Sequence, residues 1–121
     1  MGQEENQGRD GERLVVLWTS GDREVAEKMA LMYALNSRLR GWWDRVLLIV
    51  WGASVQLLCR DQGLQERLDD LLQAGVEVQA CQACADMYGL SGQLRGMGVE
   101  VKYMGEPLTG ILKSREYLIT V

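Results

Sequence analysis

From residue 13 onward the chain alternates between short apolar runs and longer stretches in which apolar residues recur at helical spacing, with turn residues between them. Leu14-Val-Val-Leu-Trp18 is an unbroken apolar run, and so is most of Asp44 to Trp51, the pattern of strands buried on both faces. Val76-Glu-Val-Gln-Ala80 and Val99-Glu-Val-Lys-Tyr103 alternate instead, and Glu116 to Val121 closes the chain as a fifth strand. Between Asp22 and Arg40, the residues Val25, Met29, Met32, Leu35 and Leu39 follow one another at spacings of three and four, which predicts an amphipathic helix whose methionines fill the core. Gly41 ends it. A short helical piece over Val55 to Arg60 is interrupted near Gln62-Gly63, and a stronger helix from Leu64 to Ala74 presents Leu64, Leu68, Leu71 and Leu72 before stopping at Gly75. Leu90 to Gly98 predicts a short polar helix, and Pro107 suits the first position of a helix over Leu108 to Lys113. Strands separated by helices give an α/β domain over 13–121, with a largely parallel sheet and helices on both faces. Residues 1–12 have no apolar periodicity and are expected to be a disordered tail.

Composition narrows the chemistry. At 121 residues the chain forms one domain and buries a core without disulfides or metal. Its net charge is −4, and its four tryptophans are not interleaved with a Lys/Arg cluster, so no nucleic-acid footprint is present. The apolar run Val46 to Trp51 falls far short of the roughly 20 residues that span a bilayer. The first residues lack the basic and apolar regions of a signal peptide, and the expectation is a cytoplasmic protein with no membrane partner. Three cysteines suit a reducing compartment, where a close pair is catalytic or metal-binding more often than a structural bridge. Histidine is absent, which removes imidazole acid–base catalysis and the commonest metal ligand. The adjacent Trp42 and Trp43 suit a core edge or a subunit contact.

The chemistry concentrates at Cys81 and Cys84, which stand where the third strand passes into a helix. Backbone N–H groups and the positive end of a helix dipole favour thiolate over thiol there, and thiolate is the form that attacks sulfur. Ligands of an open parallel sheet meet it outside the carboxyl ends of the strands. That edge gathers Ser20 and Gly21, Gly52 and Ser54, Cys81 and Cys84, and Gly105 and Glu106, as small or polar residues whose N–H groups can steady an anion or a persulfide. Cys81 ends the strand and is the better placed for attack, at the mouth of a cleft, while Cys84 is expected to be partly covered. A dithiol oxidoreductase, a zinc shared between subunits, and two small residues packing a helix start are the alternatives. With four ligands needed, the chain alone supplies no metal site, and no cofactor is expected. Cys59, among Leu57 and Leu58, is a small buried hydrophobe. Thr19-Ser-Gly-Asp22 matches neither Gly-x-Gly-x-x-Gly nor the Walker pattern, and no hydrolase constellation is present.

Three segments carry a family likeness: Leu14-Val-Val-Leu-Trp-Thr-Ser-Gly-Asp22, Gly75-Val-Glu-Val-Gln-Ala-Cys-Gln-Ala-Cys-Ala-Asp-Met-Tyr-Gly-Leu90, and Gly98-Val-Glu-Val-Lys-Tyr-Met-Gly-Glu-Pro-Leu108. In these the chain resembles the DsrE/DsrF-like family, which includes YchN-like proteins and the Dsr and Tus sulfur-relay subunits. The resemblance implies a three-layer α/β/α sandwich with a five-stranded parallel sheet, assembled as a trimer or hexamer. It also implies a persulfide carrier or sulfurtransferase that exchanges sulfur with donor and acceptor proteins. Cys81 holds the position of the carrier cysteine, and Cys84 matches a second cysteine found in some members. A non-catalytic assembly module of the same fold is the other function this fold allows.

Overall fold

The computed structural model describes residues 12–121, so the tail expected over 1–12 lies, Glu12 excepted, outside the described residues. Five strands form one sheet: β1 (Arg13–Trp18), β2 (Arg45–Val50), β3 (Glu77–Cys81), β4 (Glu100–Lys102) and β5 (Tyr117–Thr120). Their order is β4-β3-β2-β1-β5, and every neighbouring pair is parallel. The helix after β1, α1, starts at Arg23–Val25, passes through a π-helical turn at Ala26–Ala30 and continues over Leu31–Leu39. The others are α2 (Ala53–Arg60), α3 (Gln62–Gln73), α4 (Gln82–Tyr88), α5 (Ser91–Gly96) and α6 (Gly105–Lys113).

Connection handedness explains the layers. The steps from β1 to β4 all move the same way across the sheet, so right-handed crossovers place α1 to α5 on one face. The last connection runs back from β4 past β1 to β5, and the same handedness puts α6 on the other face. The larger core therefore joins Leu14, Val16, Trp18, Val46, Leu48, Val50, Val78 and Ala80 to apolar residues of α1 to α5. The smaller one joins Val15, Leu47 and Ile49 to Cys81, Met104 and Ile111, with α6 lying over it and Cys84 of α4 packed at its margin. β1 and β2 serve both cores, which is why their sequences are continuously apolar. Each fully buried Leu or Ile there contributes about 1.5–3 kcal/mol relative to exposure.

Three local expectations are corrected. The buried face of α1 is Ala26, Ala30, Leu31, Ala34 and Ser37, whereas Met29 and Met32 are 38% and 42% exposed and Leu39 is 64% exposed. The π turn adds a residue to the spiral and rotates the stripe, and alanines let the helix approach the sheet closely. The break before α3 is at Asp61, not Gly63: its carboxylate accepts from Leu64 N at 2.9 Å as an N-cap, so Gln62 and Gly63 are already helical. Helix α6 begins at Gly105, so Pro107 sits inside the first turn, where its missing N–H leaves no helical bond unmade. Among the described residues no helix is long and apolar enough to cross a membrane.

Candidate functional site

The carboxyl ends of β1 to β4 do bring the predicted residues to one edge, but they use them differently. After β1, the N–H groups of Thr19 and Ser20 donate to the backbone oxygen of Val121 at 2.6 and 3.3 Å, and Thr19 Oγ1 donates to it at 3.0 Å. Ser20 Oγ accepts from Asp22 N at 3.0 Å, and Asp22 Oδ1 accepts from Glu24 N and Val25 N to cap α1. The N–H groups of Thr19 and Ser20 are thus engaged by Val121, the residue after β5. Gly21 lies against α2, where an added Cβ would stand 3.1 Å from Ala53 Cβ.

After β2, Gly52 adopts φ +74° and ψ −134°, a conformation a side chain strains against. Ser54 is fully buried. Its Oγ lies 2.6 Å from Trp18 O and 3.0 Å from Trp51 O, and accepts from Trp51 N at 3.0 Å. This hydroxyl fastens the start of α2 to the ends of β1 and β2, which is a structural duty in place of the expected ligand contact. After β4, Gly105 and Glu106 are exposed in the first turn of α6. The Glu106 carboxylate favours the helix N-terminus and opposes a second anion there.

Cys81 ends β3 and is the N-cap residue of α4, with φ −68° and ψ 114°. Its side chain points to the smaller core and is only 4% exposed, among Val15, Leu47, Ile49, Met104 and Ile111. Burial raises its pKa above the ordinary thiol value. The backbone amides of Cys84 and Ala83 pull it down less strongly, and the neighbouring Cys84 thiol raises it again. The expected activation is therefore outweighed by desolvation, and the expected accessibility is reversed, because Cys84 is the more exposed of the pair. Cys84 packs against both cores from the first turn of α4.

The sequence placed the Cys81 sulfur at the mouth of a cleft, whereas among the described residues it is packed into the smaller core. A cleft of about 250 Å³ lies on the other layer, lined by Gln56, Cys59, Arg60, Tyr88 and Leu90. Cys59 is buried as expected, and burial raises its thiol pKa. Its carbonyl accepts from Gln65 Nε2 at 3.1 Å and Gln93 Nε2 at 2.7 Å. Among the described residues, no group of three or more His, Cys, Asp or Glu side chains could hold a metal ion.

Sequence reasoning missed Lys102. Strand register sets it directly beside Cys81, and the preceding pair, Ala80 and Val101, lies in the larger core, so Cys81 and Lys102 both belong to the opposite face. Lys102 Nζ is 3.6 Å from Glu100 Oε2, and Gln79 Nε2 donates to Glu100 Oε1 at 3.3 Å. The alternation of Val99 to Tyr103 shows that Glu100 and Lys102 share a face, but register between distant strands is not written in either strand alone.

Residues 13–120 match the model of the DsrE/DsrF-like family. Among solved structures, the chain is similar to BT1422, a conserved protein of unknown function from Bacteroides thetaiotaomicron, with 39% identity over 91% of this chain and 95% of that one and a TM-score of 0.89. It shares its fold with the ychN protein of E. coli, at 19% identity, TM-score 0.69, and coverage of 91% and 99% of the two chains. The same holds for MTH1491 of Methanobacterium thermoautotrophicum, a protein of unknown function, at 22% identity, TM-score 0.68, and coverage of 90% and 98%. No curated protein matches the chain significantly.

Proposed function

The chain belongs to the DsrE/DsrF-like family, and from that premise we propose that it is a cytoplasmic sulfur carrier in which Cys81 and Cys84 pass a sulfane sulfur between a persulfide donor and an acceptor protein. The observation that carries this reading is the placement of two interacting thiols, one reachable and one shielded, at the carboxyl end of β3. Cys84 meets the donor first. Its thiolate attacks the outer sulfur of R–S–SH, the donor S–S bond breaks as the new one forms, and R–S⁻ leaves and takes up a proton. Cys81 thiolate then attacks the outer sulfur of Cys84–S–SH, giving Cys81–S–SH and free Cys84 thiolate. The smaller core keeps water and stray thiols from the stored sulfur, and the reverse exchange returns it to Cys84 for an acceptor thiolate. Attack of Cys84 thiolate on the inner sulfur of Cys81–S–SH instead gives a disulfide and HS⁻.

A homo-oligomer, trimer or hexamer, completes this reading. Met29, Met32, Leu39 and Trp42 are exposed apolar residues on α1 and the turn after it, suited to a subunit contact. Incubation with glutathione persulfide and intact mass measurement tests the reading. One added sulfur is expected in the wild type and in Cys59→Ser, none in Cys84→Ser, and a shorter-lived adduct in Cys81→Ser. An adduct that persists equally in the Cys81→Ser/Cys84→Ser double variant, or no adduct in the wild type, overturns it.

The burial of Cys81 favours a second reading, a non-catalytic assembly module whose cysteines only pack a helix start. It expects no sulfur adduct and an oligomer unchanged by Cys81→Ser.

A further inference from the structure

The smaller face of the sheet is unevenly covered. Its β1–β2 half is packed under α6, while its β3–β4 half carries Glu77, Gln79, Glu100 and Lys102, polar side chains of intermediate or high exposure. Cys81 stands on the boundary: its sulfur belongs to the apolar cluster, and its neighbour across the ladder is Lys102. Adjacent strands lie about 4.8 Å apart, less than the length of the flexible lysine stem, so the ammonium and the sulfur are close neighbours across the ladder.

We propose that Lys102 is the charge-stabilising residue of the thiol pair, moving its ammonium from Glu100 to the Cys81 sulfur whenever that sulfur is an anion, as thiolate or persulfide. This rests on the sulfur-carrier reading and gives the shielded thiol a counter-charge that the helix amides do not supply. The other charged groups on the elements packed against Cys81 are differently placed. Glu77 begins β3, Arg45 begins β2 and Arg13 begins β1, all at the far end of the sheet from Cys81, with Arg13 held by Glu116 and Glu77; Lys113 is in the last turn of α6; and Glu100, Glu106 and Asp86 are acidic. Lys102 is the cation in register with the sulfur. As Cys81–S–H ionises, its proton goes to solvent or to the leaving donor thiolate, and Lys102 releases Glu100 to face the new negative charge. Charge is balanced at each stage, and Glu100 holds the ammonium near the sulfur when Cys81 is neutral.

The experiment uses the full chain with Cys59→Ser and Cys84→Ser, leaving Cys81 as its one thiol, and follows thiolate absorbance and iodoacetamide alkylation against pH. An opposite charge within a few ångströms favours the anion, and solvent screening of the half-exposed Lys102 ammonium reduces the effect, so Lys102→Met is expected to slow alkylation at fixed sub-midpoint pH by about threefold or more. Lys102→Arg restores most of the rate. Glu100→Gln, which frees the ammonium from its present partner, shifts the profile the opposite way and guards against a Lys102→Met variant that fails to fold. An unmoved profile in both Lys102→Met and Glu100→Gln overturns the inference, as does an equal loss in Lys102→Arg. Sulfur uptake from glutathione persulfide, measured separately with Cys84 present, distinguishes the two failures: uptake with an unmoved profile removes only Lys102, and a shifted profile without uptake removes only the carrier.

Discussion

Ser54 Oγ lies 2.6 Å from the carbonyl oxygen of Trp18, deep under the first turn of α2. That bond joins the ends of β1 and β2, the strands that carry both cores. Trp18 O also accepts from Trp51 N at 3.0 Å, so it keeps one partner if the hydroxyl is lost. Ser54→Ala is therefore expected to cost about 1 kcal/mol of stability in urea denaturation. Sulfur uptake per folded molecule stays unchanged. A Ser54→Ala protein that is fully stable but loses uptake identifies a substrate contact instead.

Gly52 and Gly105 both follow strand ends, yet they should respond oppositely to alanine. Gly52 has φ +74°, where a Cβ is strained, and the cost of such a conformation is about 1–3 kcal/mol. Gly105 is helical, and nothing lies within 4 Å of an added Cβ. Gly105→Ala is expected to stabilise by about 0.5–1 kcal/mol through reduced unfolded-state entropy and better helix propensity. Thermal melts of the two variants on either side of wild type check both; two shifts of the same sign refute the assignment.

The strand pattern was legible because Leu14–Trp18 and Val46–Val50 must be apolar on both sides to serve two cores. The order of elements and the edge where the candidate residues gather followed from it. The buried stripe of α1 was not legible, since the π turn at Ala26–Ala30 shifts the face and small alanines give a weaker apolar signal than Met29 and Met32. At the site, spacing located Cys81 and Cys84 but could not weigh burial against helix-end amides. That balance depends on Leu47, Ile49, Met104 and Ile111, which come from three separate elements or turns. The closing of the Thr19–Ser20 turn by Val121 is a contact over about a hundred residues, and no local rule foresees it.

Asp61 makes two contacts that favour its anion, one with a guanidinium and one with a backbone amide. Arg23 Nε donates to it at 2.7 Å, and it caps α3 through Leu64 N, so its carboxyl pKa is lowered, first by the Arg23 hydrogen bond and next by the Leu64 amide. A depressed folded-state pKa contributes stability that is complete above the unfolded value and is lost as pH falls through the folded one. Below 3.8, the ordinary value, wild type should lose stability with acid, and Asp61→Asn should show a shallower decline in the same range. Because the pair is exposed, high salt reduces the difference. Parallel acid profiles for the two proteins contradict the linkage.

Cys59 and Cys81 give the alkaline counterpart. Burial raises both thiols above the ordinary value of 9.0. At neutral pH each is a thiol in both the folded and unfolded chain, so neither contributes a pH dependence there. Once pH passes 9.0, the unfolded chain ionises its cysteines while the folded chain holds them neutral, and the proton released on unfolding favours the unfolded state. Stability should therefore fall with rising pH above 9.0 until the folded thiols also ionise. All groups other than the two thiols are common to wild type and variant and cancel in the difference. Urea midpoints measured from neutral to alkaline pH should decline more steeply in wild type than in the Cys59→Ala/Cys81→Ala double variant, after correction for the cavities that lower the variant at every pH. A decline just as steep in the double variant would mean that water reaches both sulfurs, and with it the shielded half of the proposed sulfur exchange would be lost.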